Sequence, residues 1–292
     1  MKKILVFLSI LFVLFLAACG GGDDAAEDSS NNAENNEAAE GTENESADNV
    51  VIKVGASSVP HAEILEEAKP LLAEEGITLE IEEYQDYVLP NDDLANGTLD
   101  ANYFQHIPFL EQTIADTGYE LENIGGIHIE PMGVYSQNIA SIDDIPEGAE
   151  VILSNSVADH ERILKLFEAQ GLITLDDSAE EITVDSIVDN PKNLQFQPDY
   201  APELLPELYH SEADALVVIN TNYAIEAELN PIEDSLFIEG EESDYVNVVA
   251  ARAEDKDREE LKKLVEVLHS EEIQNFIIEK YEGAVVPVGG NE

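Results

Sequence analysis

Two hydrophobic periods alternate along the chain from residue 51 onward. Val51 to Gly55 reads as an opening strand. From His61 to Glu75, apolar Ile64, Leu65, Ala68, Leu71 and Leu72 recur at helical spacing, and Gly76 follows where helices commonly end. Ile77 to Ile81 switches to period two, which predicts a strand with one wet face. Leu99 to Phe104 predicts a short strand, Pro108 to Thr117 a helix, and Leu121 to Ile129 a further extended run. Val151 to Ser154 predicts a buried strand, followed by a helix from Ala158 to Ala169 that Gly171 ends. Ala215 to Ile219 repeats the buried-strand pattern and leads into a helix near Tyr223 to Glu228. Val246 to Ala250 is a further strand, and Lys256 to Tyr281 holds two helices broken near Ser270. Strand–helix alternation on this scale predicts an α/β protein of two lobes, with parallel sheets and crossover helices.

The first fifty residues obey another rule. Lys2 and Lys3 precede an apolar run from Ile4 to Leu16, the order of a secretory signal and too short for a membrane span. The run ends in Leu16-Ala17-Ala18-Cys19, and Cys19 is the single cysteine of the chain. It stands where a bacterial lipobox places the residue that is lipidated and becomes the mature N-terminus. Residues 1–18 therefore read as a lipoprotein signal peptide and Cys19 as the lipidation site. An ordinary signal peptide with a chance cysteine is the alternative. Residues 19–50 carry ten acidic and no basic residues among Gly, Ala, Asn and Ser. Such a segment cannot bury enough surface to offset its ordering entropy, so it reads as a disordered tether spanning roughly 30 Å. This predicts a body anchored by lipid at the extracytoplasmic face of the cell membrane.

Charge narrows the function. The chain has 64 acidic against 13 basic residues, a net charge of -51 that opposes binding to nucleic acid. Self-repulsion at this density predicts a saline or alkaline medium that screens it. One cysteine leaves no intramolecular disulfide and no Cys-rich metal site. His61, His106, His128, His160, His210 and His269 never pair at i, i+4, so a metal site would need scattered ligands; zinc binding stays as the alternative reading. There is no Gly-x-Ser-x-Gly elbow and no Gly-rich phosphate loop, which leaves nothing to support an enzyme or a cofactor.

Three clusters could hold a small molecule. Arg162 lies just past the strand Val151 to Ser154, in Asn155-Ser156-Val157-Ala158-Asp159-His160-Glu161-Arg162. Loops at the carboxyl ends of strands face the ligand crevice of open α/β sheets, and an arginine there can clamp a carboxylate bidentately. A surface ion pair with a glutamate is the other reading. Asp100-Ala101-Asn102-Tyr103-Phe104-Gln105-His106, with Asp86-Tyr87 upstream, offers rings and amides for an amphiphilic ligand or for a core strand. Asn220-Thr221-Asn222-Tyr223 ends an apolar strand, where amides either bind a ligand or cap a helix.

These segments also stand in a familiar order. Val59-Pro60-His61-Ala62-Glu63, Asp86-Tyr87-Val88-Leu89-Pro90-Asn91, Asp100 to His106, His128-Ile129-Glu130-Pro131-Met132-Gly133, Asn190-Pro191-Lys192-Asn193, Ile219 to Ala224 and Gly283-Ala284-Val285-Val286-Pro287 together resemble the NlpA-type lipoproteins, the methionine-binding receptors of ABC importers. The resemblance covers residues 51 to 288. It implies a two-lobed type II periplasmic-binding-protein fold with the ligand cleft between lobes, lobe one being 51–132 plus 246–292 and lobe two 133–245. It implies a monomeric receptor for methionine, D-methionine or a methionine dipeptide, delivering it to an ABC permease. Carried over by position, Tyr87, Phe104 and His106 would wall the side-chain pocket, Arg162 would grip the carboxylate, and Asn220 the head group. One stretch departs from the family pattern Asn-Asp-Pro-Thr-Asn-x-Gly-Arg: the proline, the second asparagine and the glycine are replaced here. Asp159 consequently stands near Arg162, where it would weaken a contact to a carboxylate or strengthen one to an ammonium.

Overall fold

The computed structural model describes residues 49–176, 178–179, 181–240 and 243–289. The signal peptide, Cys19 and the tether up to residue 48 lie outside the described residues. Chain order begins with β1 (Val50–Ser57), α1 (Glu63–Glu74), β2 (Ile77–Tyr84), α2 (Leu89–Ala95), β3 (Ala101–His106), α3 (Ile107–Thr117) and β4 (Leu121–Ile129). A second series follows: β5 (Gly133–Tyr135), β6 (Glu150–Ser154), α4 (Val157–Ala169), the small ribbon β7 (Thr174–Leu175) and β8 (Ile187–Asp189), β9 (Gln195–Tyr200), α5 (Leu205–Ser211), β10 (Leu216–Ile219), α6 (Thr221–Glu226) and β11 (Phe237–Ile238). The chain then returns through β12 (Val246–Arg252), α7 (Glu259–Leu268), α8 (Glu271–Tyr281) and β13 (Val286–Pro287).

The strands form two principal sheets. One has the order β13-β4-β12-β3-β1-β2 and the other β11-β5-β10-β6-β9. The chain crosses between them after Ile129 and again before Val246. The expected parallel pairing holds for β1 with β2 and β3, and for β6 with β9 and β10. It fails elsewhere, so both sheets are mixed. β12 runs antiparallel to β3 and β4, and β5 runs antiparallel to β10 and β11. The reason is topological: β12 comes back from the second sheet and enters the first at the end where β3 finishes, with Asn247 opposite His106.

Local signals were mostly obeyed. Gly76 and Gly171 sit past their helices at φ of 76° and 71°, where a side chain would be strained. The break near Ser270 is a helix start, its hydroxyl accepting from the Ile273 amide. The strand expected at Leu99 to Phe104 lies two residues later and is buried along its whole length. Its polar side chains are paired: Asn91 and Gln105 exchange amide hydrogen bonds at 2.8 Å, and Asn102 Nδ2 donates to Asn91 Oδ1. The principal core packs α1, α7 and α8 against the first sheet, and a second core packs α4 against the other.

Candidate ligand-binding site

The strand ends of both sheets converge on one cleft. β3 delivers Phe104, Gln105 and His106, and the turn into α3 adds Phe109. The segment after β4 adds Glu130 and Met132, α4 adds Asp159 and Arg162, the start of α6 adds Asn220 to Asn222, and β12 adds Asn247. Tyr87, in the loop before α2, closes one side. Tyr87, Phe104, His106, Arg162 and Asn220, picked out in the sequence, all line this space.

One wall is aromatic. The Tyr87 ring lies 6.0 Å from Phe104, 5.9 Å from Phe109 and 5.1 Å from Tyr223. Its hydroxyl donates to Asn222 Oδ1 at 2.6 Å, joining the two sheets' strand-end loops across the cleft. Opposite, His106 caps α3: its Nδ1 accepts from the Phe109 amide at 3.2 Å. With Nδ1 accepting, Nε2 is the nitrogen that donates to Asp159 Oδ1, at 3.0 Å. Burial raises the Asp159 pKa, but the hydrogen bonds from His106 and Asn220 and the Arg162 charge outweigh it and hold it below the usual carboxylate range.

Arg162 is 5% exposed and sits on α4, the helix expected there, and its glutamate pair lies in the interior rather than on the surface. Its Nε lies 3.2 Å from both oxygens of Glu239, and Nη2 donates to Glu239 and to the Glu130 carbonyl, the latter at 2.9 Å. The bidentate fork is thus occupied by a half-buried glutamate. The Nη1 corner remains, with Asp159 Oδ1 at 3.7 Å, and the Tyr245 ring stacks 4.4 Å from the guanidinium carbon. An incoming carboxylate can therefore meet Nη1, not a free fork.

The family model described as NlpA lipoprotein matches residues 52–289. The chain belongs to the NlpA lipoprotein family. Among its relatives, the methionine-binding lipoprotein MetQ of Bacillus subtilis is 43% identical over 295 residues, covering 99% of each chain. The D-methionine-binding lipoprotein MetQ of Yersinia pestis is 38% identical, covering 80% of this chain and 87% of its own. A nutrient binding protein from Burkholderia cenocepacia, solved bound to methionine, superposes with a TM-score of 0.77 at 38% identity, covering 81% of this chain and 99% of that one. The two-lobed fold expected from the sequence is the fold of these NlpA-type neighbours.

Behind the cleft of this NlpA lipoprotein lies a buried polar cluster that the sequence did not reveal as one unit. His61 Nε2 lies 3.3 Å from Glu130 Oε1, and His128 Nε2 lies 2.8 Å from the same atom. Burial lowers the pKa of His61 to about 4 and that of His128 to about 3, so both rings are neutral at pH 7. Burial likewise raises the pKa of Glu130, against the pull of His61, the Asn222 amide and Arg162. Among the described residues this trio is the one grouping with the spacing to hold a metal ion. Its atoms are engaged with one another and with Tyr103 and Asn247, except His61 Nδ1, which is buried without a partner among the described residues. Glu130, Asn247, Glu239 and Tyr245 were missed as site residues. Glu239 carried no signal, being one of 64 acidic residues.

Proposed function

We propose that this protein is a lipid-anchored receptor on the extracytoplasmic face of the membrane that binds methionine and delivers it to an ABC importer. The observation that carries the reading is the meeting, in one cleft between two lobes, of an aromatic wall with the cleft's one arginine and several buried acceptors. Tyr87, Phe104 and Phe109 suit a thioether side chain, and the polar side suits an amino-acid head group. Arg162 Nη1 would receive the carboxylate, with Asn220 beside the head group and His106 walling the pocket. D-methionine or a methionine dipeptide are close relatives within the same chemistry. The chain would act as a monomeric binding protein rather than an enzyme. Lobe one would comprise residues 51–132 and 246–292, and lobe two 133–245, closing over the ligand. Cys19 would carry the anchor; among the described residues no helix is long and apolar enough to cross a membrane.

The cleft and the family favour this reading over the zinc alternative. Titration calorimetry with L-methionine, D-methionine and zinc, together with mass spectrometry of natively purified protein, tests it. Saturable one-site binding of methionine is expected. Zinc binding without methionine binding would overturn it.

A further inference from the structure

Behind the cleft, one buried carboxylate has no cation beside it. Glu130 is 7% exposed, and its Oε1 faces His61 Nε2 at 3.3 Å and His128 Nε2 at 2.8 Å. Both rings are neutral at pH 7. The other oxygen, Oε2, accepts from the Asn222 amide at 3.0 Å. Among the described residues no lysine or arginine side chain pairs with this carboxylate; Arg162 gives Nη2 to the Glu130 main-chain carbonyl and to Glu239. A carboxylate out of water either takes up a proton or is held charged by a cation or a metal ion.

The ring nitrogens are arranged so that lone pairs can be freed. His61 Nε2 faces a second acceptor, Asn247 Oδ1, at 3.0 Å, while Nδ1 of the same ring is buried without a partner among the described residues. Moving the neutral ring's proton to Nδ1 therefore breaks no bond there and turns the Nε2 lone pair toward Glu130 and Asn247. On His128, Nδ1 faces the Tyr103 hydroxyl, which can accept as well as donate, so this ring can make the same shift. A histidine that ligates through one nitrogen and is oriented through the other is the common arrangement at a metal. Spacing agrees. The ligand atoms of His61, His128 and Glu130 all lie within 4.8 Å of one another. The contacts of 2.8, 3.0 and 3.3 Å come close to the roughly 3.3 Å between neighbouring ligands of tetrahedral zinc. The β4–β12 register also shifts next to Asn247, the residue opposite His128, and such bulges re-aim side chains beside functional sites. Glu130 and Asn247 line the cleft as well, which gives an ion a way in.

We propose that His61 Nε2, His128 Nε2 and Glu130 Oε1, with Asn247 Oδ1 as the fourth ligand, form a site for a divalent transition ion such as zinc, held inside the receptor as a structural ion and not as its cargo. Two imidazoles and two oxygens suit a borderline ion of this class better than magnesium or calcium, which prefer oxygen alone. The ion would tie together the start of α1, the end of β4 and the start of β12, and would supply the cation that Glu130 lacks.

Cobalt(II) titration of the full mature chain, untagged and stripped of metal, tests this in excess magnesium chloride, which occupies exposed carboxylates. One cobalt per chain is expected, with the intense visible absorption of a four-coordinate ion. His61→Gln and His128→Gln should each weaken binding by more than about a hundredfold, and Tyr103→Phe, which loses only the orientation of His128, by about tenfold. Zinc should raise the melting temperature of the parent and leave that of His128→Gln unmoved. The site is overturned by cobalt that binds only in pale, six-coordinate form, by affinity that both histidine variants retain, or by a melting temperature of the parent that zinc does not change. Should both variants fail to fold, X-ray absorption of the zinc-loaded parent decides: two imidazole ligands support the site and fewer overturn it. Methionine is expected to bind the metal-free chain, so a failed cobalt titration removes this site and not the receptor.

Discussion

Replacing Arg162 by alanine separates two roles that the structure gives one side chain. The guanidinium is buried and bonded to Glu239, whose side chain is 14% exposed. Its removal leaves that carboxylate with no cation and only the Met132 amide as donor, and takes the Arg162 donor from the Glu130 carbonyl. Breaking a buried pair from one side costs about 3 kcal/mol or more. For a body of this size that lowers the melting temperature by roughly 6 to 12 °C. Binding suffers separately. The carboxylate contact is confined to Nη1, so its loss is at the low end for a buried charge pair, about 2 kcal/mol or roughly thirtyfold in Kd. The double variant Arg162→Ala/Glu239→Gln resolves the two, since it removes the stranded carboxylate without restoring a cation. It should regain most of the lost melting temperature and none of the affinity. Lys165→Ala is the control, because that side chain is exposed and pairs only with Glu161, and it should change stability by less than about 0.5 kcal/mol. Scanning calorimetry and titration with methionine read both quantities. An Arg162→Ala variant that melts within about 1 °C of the parent would refute the buried pair, and a double variant that recovers binding would refute the ligand contact.

Three further outcomes follow from other parts of the molecule. His61 and His128 have folded pKa values near 4 and 3, below the 6.5 of the unfolded chain, so protons bind the unfolded state first as pH falls. Their contribution to stability is complete above about pH 6.5 and declines toward pH 4, by up to about 1.4 kcal/mol per pH unit for each ring; urea unfolding at pH 7, 6 and 5 with no decline in the midpoint would contradict it. Residues 51–292 carry 54 acidic and 11 basic side chains, so the melting temperature should rise between low salt and about 1 M NaCl; a flat response would dismiss self-repulsion as a factor. A Cβ at Gly125 would clash with Val265 Cγ1 on α7, so Gly125→Ala should cost about 1 to 3 kcal/mol in a denaturant titration, and a neutral substitution would show that the β4–α7 packing is looser than described.

Much of the secondary structure was legible because burial has a period. Helices α1, α3 and α4 bury one face, and β2 alternates, so the order of residues carried their identity. Where burial has no period, the sequence was ambiguous. β3 is buried on both faces and carries Asn102 and Gln105, whose side chains become tolerable through each other, the Pro90 carbonyl and Asn91, the last eleven and fourteen residues away. β9 was not recognised at all: it is a half-exposed edge strand containing Pro198, and an edge tolerates proline because one side of its backbone needs no partner. Helix α2 was overlooked although Asp86 accepts from the Val88 and Leu89 amides at its start, a short local signal with no apolar repeat behind it.

The sequence by itself pointed to part of the cleft: Arg162 and Asn220 lie just past strands whose ends face the crevice in folds of this kind. Tyr87, Phe104 and His106 were found from their cluster of rings and amides and from the family resemblance. What each of them touches was decided only by tertiary structure. Arg162 meets Glu239 across 77 positions of sequence, and His106 meets Asp159 across 53. No periodicity singles out one carboxylate among 64. Charge pairing depends on distance in space and on exclusion of water, and both come into being when the two sheets fold against one another.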